Sequence, residues 1–186
     1  MKSQTNMLQG IRSFRPALRF IAIFMLSSFS LTAIYSAYLS SLQNQVDYFT
    51  IQAAKGATAL LNFFGLETHF VLRPVSNESW IYQGDKALVS VIEGCNGVSI
   101  AILFLSFLLS FSGKWRKLVW FAGISLVFIW LVNIARIAWL AWVILENGIV
   151  AFNWQKSVFN ASIYAFVLLL WILWIRIITY GRLQNS

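Results

Sequence analysis

The sequence predicts an all-α integral membrane protein: four transmembrane helices, one outer amphipathic helix and a small extracytoplasmic β-prone segment, in a single membrane domain over residues 1–186. Three observations carry this. The 186 residues are 59% hydrophobic and 17% aromatic, with a mean hydropathy of +0.72. Only 11% are charged, against about a quarter in ordinary soluble domains. Four apolar runs reach the length, about 17–25 residues, that a helix needs to cross hydrocarbon.

The first span is Ala17 to Leu39, preceded by Arg12, Arg15 and Arg19. It exceeds the apolar stretch of about 7–15 residues found in a cleaved signal peptide, so an uncleaved anchor is expected. The character changes over the outer segment, 40–94. Val46 to Phe64 sets Phe49, Ala53, Leu60 and Phe64 near one helical face and is too mixed to span, which suggests a helix lying on the membrane surface. Pro74, Ser76, Asn77 and Gly84–Asp85 then punctuate short β-prone pieces at Phe70–Leu72, Trp80–Tyr82 and Ala87–Ile92, predicting a hairpin or meander. The second span runs from Cys95 to Phe111 (95–111), the third from Leu118 to Leu145 (118–145) and the last from Ser157 to Ile178 (157–178).

Charge orients the spans. Lys2, Arg12, Arg15 and Arg19 precede the first, Lys114, Arg116 and Lys117 separate the second from the third, and Arg176 and Arg182 close the fourth. Short cytoplasmic segments are rich in Lys and Arg, so both termini are expected in the cytoplasm. The six acids, Asp47, Glu67, Glu78, Asp85, Glu93 and Glu146, then fall on the outer side or at its surface. The net charge of +8 is thereby mostly an orientation signal, and no nucleic-acid partner is expected; the bilayer is. One cysteine and one histidine, His69, supply no disulfide framework and no zinc or haem set, so neither metal nor cofactor is expected.

This topology brings separated residues into one plane near the outer surface. Cys95 opens the second span. Arg136 lies roughly 27 Å along the third span from Leu118, close to the outer edge of the hydrocarbon. Gln155 and Lys156 sit just before the fourth. A charge inside an apolar helix marks a functional site by default; the alternative is an arginine that snorkels to the headgroups. Asn133, one turn before Arg136 on the same face, favours a polar pocket within the bundle. Thiols at helix N-termini or near a cation become nucleophiles. Gly94 and Gly97 allow a backbone to approach Cys95 closely. Glu93 opposes a thiolate, and pairing with Arg136 would hold the guanidinium. These features leave a nucleophile and a small buried structural cysteine equally open.

With "EGCNG" at the outer end of one span and "NIARIA" in the next, the sequence resembles the exosortase/archaeosortase family of membrane-embedded cysteine transpeptidases, most of all the short F-type exosortases of Bacteroidetes. The resemblance implies a membrane protease and transpeptidase of the bacterial inner membrane, its active site facing the periplasm. It would cleave the C-terminal sorting signal of secreted client proteins through a thioester acyl-enzyme, which an amine acceptor or water resolves. It implies Cys95 as nucleophile and Arg136 as the family's arginine. The family's histidine falls at Gln155, which cannot accept a proton at neutral pH. That departure implies an inactive variant, a natural pseudoenzyme, or another base such as His69 or Lys156. The alternative function is a non-catalytic membrane scaffold that binds client helices.

Overall fold

The computed structural model describes residues 2–43, 45–111 and 115–183, with side chains described for 14–43, 45–111, 115–148, 158 and 161–179. The elements follow the order α1 (Lys2–Ser41), α2 (Tyr48–Phe63), β1 (Thr68–Arg73), β2 (Glu78–Gln83), β3 (Lys86–Val91), α3 (Val98–Ser110) and α4 (Trp115–Leu183). Helix α4 is two helical segments joined at Gly148, whose φ of 72° and ψ of −174° break the helical geometry. Glycine adopts this backbone without a Cβ clash.

Among the described residues, three helical stretches are long and apolar enough to cross a membrane: Phe14–Ser41, Trp115–Gly148 and Ala161–Thr179. They cover the first, third and fourth expected spans. The second differs. Cys95 belongs to a 3₁₀ turn (Glu93–Cys95), Gly97 is left-handed at φ 89°, and α3 begins only at Val98. At 13 residues α3 extends about 20 Å, less than the hydrocarbon thickness. Among the described residues the expected second span is thus a short apolar helix preceded by the turn at residues 93–97.

Contacts at the two ends show the helices alternating in direction. Near one end Phe20 of α1 packs edge-on against Phe111 (5.0 Å between centroids), and Phe121 stacks on Trp174 (5.0 Å). Near the other end Asn96, just before α3, reaches Tyr35 of α1, and Gly97 lies against Asn133 of α4. Large apolar side chains face outward along these helices, among them Leu26 (69% exposed), Phe29 (75%) and Trp120 (73%). In water that surface would be an aggregation liability; in lipid it is the solvent-matched face.

Two apolar cores share α4. One lies within the bundle, where Ile100, Phe104 and Leu108 of α3 meet Leu118, Ala122 and Ile129 and the later residues Ile163, Val167 and Trp174. The other lies beyond it, under a small cap. There Ala53, Ala54, Ala57 and Leu61 of α2 pack with Ile81, Val89 and Val91 of the sheet and with Ile137, Ala138 and Ala141 of α4. The sheet is antiparallel in the order β1-β2-β3, with Arg73 opposite Glu78 and Gln83 opposite Lys86 at its two turns. Gly84 takes the positive φ (54°) of the tighter turn.

Helix α2 packs on the protein through small residues, with Ala53 of the expected apolar face among them and Leu60 at the edge of the same core. Phe49 is 42% exposed and Phe64 73%, whereas Thr50, Ala53, Ala54, Ala57, Thr58 and Leu61 are buried. Small residues win this face because they let α2 come close to α4. A Cβ added at Gly56 would sit 2.6 Å from Cδ1 of Ile134.

Candidate active site

The Cys95 turn sits where the two cores meet, held from two sides by asparagines. On the α4 side, Asn133 is fully buried, and its Nδ2 donates to the backbone carbonyl of Cys95 at 2.9 Å. Its Oδ1 accepts from Nη1 of Arg136 at 3.2 Å. Arg136 is itself buried at 7% exposure, so its guanidinium is kept inside the protein. The spacing of three residues puts both groups on one face of α4. One amide thus ties the cation to the peptide that carries the thiol.

Gly97 makes this approach possible. A Cβ there would lie 3.3 Å from Nδ2 and 3.4 Å from Cγ of Asn133, and the φ of 89° disfavours any L side chain. The turn is closed locally by the Cys95 N–H, which donates to the Ile92 carbonyl at 2.8 Å. Cys95 is half-buried and carries a free thiol.

On the other side is a bracket that sequence reasoning missed. Asn96 is 2% exposed. Its Nδ2 donates to the Tyr35 hydroxyl (2.7 Å), Oγ1 of Thr50 (3.2 Å) and Oδ1 of Asp47 (3.3 Å). Its Oδ1 accepts from the Val98 N–H at 3.0 Å, satisfying an otherwise unpaired donor at the start of α3. Asp47 caps α2 with the same Oδ1, which accepts from the N–H groups of Phe49 (2.9 Å) and Thr50 (3.1 Å). The bracket therefore joins α1, the start of α2 and the start of α3 directly beside Cys95. Part of it was available in the sequence: an Asp just before a helical run is a capping signal. Its pairing with Asn96, 49 positions later, had no local trace.

The remaining expected site residues divide. Glu93 lies in the same 3₁₀ turn as Cys95 and is half-buried. His69 is on β1, its ring stacked on Tyr82 at 5.8 Å, and lines a polar hollow with Asn62, Glu67 and Thr68 that includes no residue of the Cys95 turn. The side chains of Gln155 and Lys156 lie outside the described residues, as do those of Lys2, Arg12, Lys114 and Arg182.

A groove of about 530 Å³ opens beside the turn. Its upper end is formed by Asn96, Gly97, Tyr35 and Phe49, and its length by Ala101 and Leu105 of α3, Leu31 and Ile34 of α1, and Leu126 and Trp130 of α4. No charged residue is among the described residues that line it. Along α3, Gly97 to Leu105 corresponds to about 12 Å, close to the depth of one leaflet.

Compared with known families, the chain matches the family model described as transmembrane exosortase over residues 5–176. The chain belongs to the transmembrane exosortase family. It is accordingly a multi-pass membrane protein, mostly helical, of a family whose members are cysteine transpeptidases. Comparison with curated proteins and with solved structures gave no match. Within this exosortase fold the clamped Cys95 turn, Asn133 and Arg136 form one hydrogen-bonded unit.

Proposed function

We propose that this exosortase-family chain acts at the bacterial inner membrane, as an F-type member, on secreted clients bearing a C-terminal sorting signal. The observation that carries the reading is the fixed Cys95 peptide, tied through Asn133 to a buried arginine. A nucleophile must be held in geometry, and developing charge must be met by preorganised donors. In this reading Cys95 Sγ attacks the carbonyl carbon of the client's scissile peptide. The C–N bond breaks, the departing amine takes a proton, and a thioester remains on the enzyme. An amine acceptor or water then attacks the thioester and frees the thiol. Arg136 stabilises the oxyanion or binds the recognised motif, and Glu93 helps hold the guanidinium. The uncharged groove beside Asn96 and Gly97 is the surface we assign to the client's apolar helix, with the scissile bond just above it. Both termini are cytoplasmic and the site faces the periplasm, because Lys and Arg are enriched before the first span, between the second and third and around the end of the fourth, where no acid occurs.

Gln155 is the weak member. It stands where the family carries its histidine and cannot take the thiol proton, so the chain as it stands is an inactive or slow variant. The same residue favours a second reading, a pseudoenzyme that binds client helices without cutting them. One experiment addresses both. A tailed client is co-expressed with the wild type, Cys95→Ala, Gln155→His and the double variant, and loss of the tail is followed by mass. The transpeptidase reading expects processing to rise with Gln155→His and to vanish when Cys95→Ala is added. If Gln155→His stays inert and Cys95→Ala leaves any native activity unchanged, the enzymatic reading fails and the binder stands.

A further inference from the structure

We propose that the groove at the end of the bundle opposite Cys95 binds the headgroup of an anionic phospholipid. The groove, about 520 Å³, lies where the first turns of α4 meet the last turns of its second segment. Its lining includes Arg116, Lys117, Phe121, Ile124, Trp174 and Ile177. Lys117, Phe121 and Ile124 recur at helical spacing, so charge gives way to aromatic and then aliphatic surface along one face of α4. That order matches a phospholipid read from phosphate to acyl chain.

Charge complementarity selects the anionic class. No carboxylate lines the groove. All six acids of the chain, Asp47, Glu67, Glu78, Asp85, Glu93 and Glu146, belong to the Cys95 end or the cap, so the nearest in sequence to Lys117 is Glu93, beside the active-site turn. Basic pockets between membrane helices hold acidic headgroups in this way, Arg as a fork and Lys as a point charge. A second observation is independent of charge. Trp174 is 1% exposed, and its indole N–H finds no acceptor among the described residues. A buried donor of this kind wants an oxygen, and Trp174 lines this groove. A phosphate or ester oxygen entering between Arg116, Lys117 and Trp174 supplies it.

The test uses the whole protein in a neutral detergent, where membrane orientation plays no part. Phosphatidylglycerol and phosphatidylcholine with identical acyl chains are offered in equal amounts, and bound lipid is counted by native mass spectrometry. At about fivefold for each cation close to an acidic headgroup, phosphatidylglycerol is retained on the order of 20- to 30-fold better. The Arg116→Gln/Lys117→Gln variant abolishes that preference, and either single change removes about fivefold should the double variant not fold. Arg176→Gln, an exposed cation at the same end but outside the groove, leaves it intact. A preference that survives the double variant overturns the proposal. So does an equal loss from Arg176→Gln, which would assign the effect to the general field of that end. Inorganic phosphate leaves the bound lipid in place; displacement by phosphate would make the site one for a free anion.

Discussion

Replacing Asn133 by alanine tests the central arrangement of the site without touching the thiol. The change removes the 2.9 Å bond to the Cys95 carbonyl and the 3.2 Å bond from Arg136. A neutral hydrogen bond contributes about 1 kcal/mol and one to a charged group about 1.5–3 kcal/mol. Bonds between membrane helices average lower, about 0.6 kcal/mol, because the separated helices find other partners. Only the bond to the Cys95 carbonyl reaches the turn, so the turn should loosen by about 1 kcal/mol, a factor of roughly 5 in its opening equilibrium. The chain reports on this by itself, since Cys95 is its single cysteine. A bulky fluorogenic maleimide reaches the half-buried Cys95 thiol faster as the turn opens. Labelling in Asn133→Ala should therefore run about five times faster than in the wild type. Leu131→Ala, two positions away on the lipid-facing side of α4, should match the wild type. Rates equal within about twofold for Asn133→Ala and the wild type would refute the idea that this amide holds the nucleophile's peptide.

Three further outcomes follow from the same geometry. Gly97→Ala forces a side chain into the left-handed region and against Asn133, so labelling should accelerate about tenfold, from roughly 1–2 kcal/mol of backbone strain. Asp47→Ala removes the cap of α2 and one acceptor of Asn96, lowering the thermal midpoint through about 0.5–2 kcal/mol; Asp47→Asn, which keeps an oxygen for the cap, should recover most of it. Gly56→Ala places a methyl against Cδ1 of Ile134 and should destabilise the protein, while Ile134→Val, which deletes that atom, should suppress the effect by more than about 0.5 kcal/mol in a double-mutant cycle.

What the sequence revealed and concealed divides along local and non-local lines. Long apolar runs are local, so the stretches ending in Ser41, Gly148 and Thr179 were legible from composition. The Asn133 to Arg136 spacing is local too, and it correctly predicted two polar groups on one face of α4. The start of α3 was misread because apolar character begins at Cys95 while helical geometry begins at Val98. Gly97 was read as room for a backbone, but its left-handed φ also delays the helix. The protein-facing side of α2 was only partly legible, Ala53 of the apolar face being buried and Phe49 and Phe64 exposed. Its alanines carry a weak hydrophobic signal, and the exposed Phe49 and Phe64 carry a strong one. Asn96 was invisible as a tie-point because its partners Tyr35 and Asp47 lie 61 and 49 positions away.

The two asparagines also separate two requirements that catalysis normally joins. Asn133 and Asn96 fix where the Cys95 peptide sits, through hydrogen bonds to Arg136, Tyr35, Asp47, Thr50 and Val98 as well as to Cys95 itself. The mechanism proposed above assigns proton transfer to position 155. A Gln155→His change should therefore act on the chemical step while leaving the labelling rate of Cys95 at equilibrium opening unaltered, and Asn133→Ala should do the reverse to the framework before any chemistry occurs. If the two variants are combined, their effects on processing should multiply, because one alters the fraction of enzyme in which the turn is correctly held and the other the rate within that fraction. A marked departure from multiplication would mean that position 155 also helps to hold the turn, and the division between placing the thiol and taking its proton would not stand.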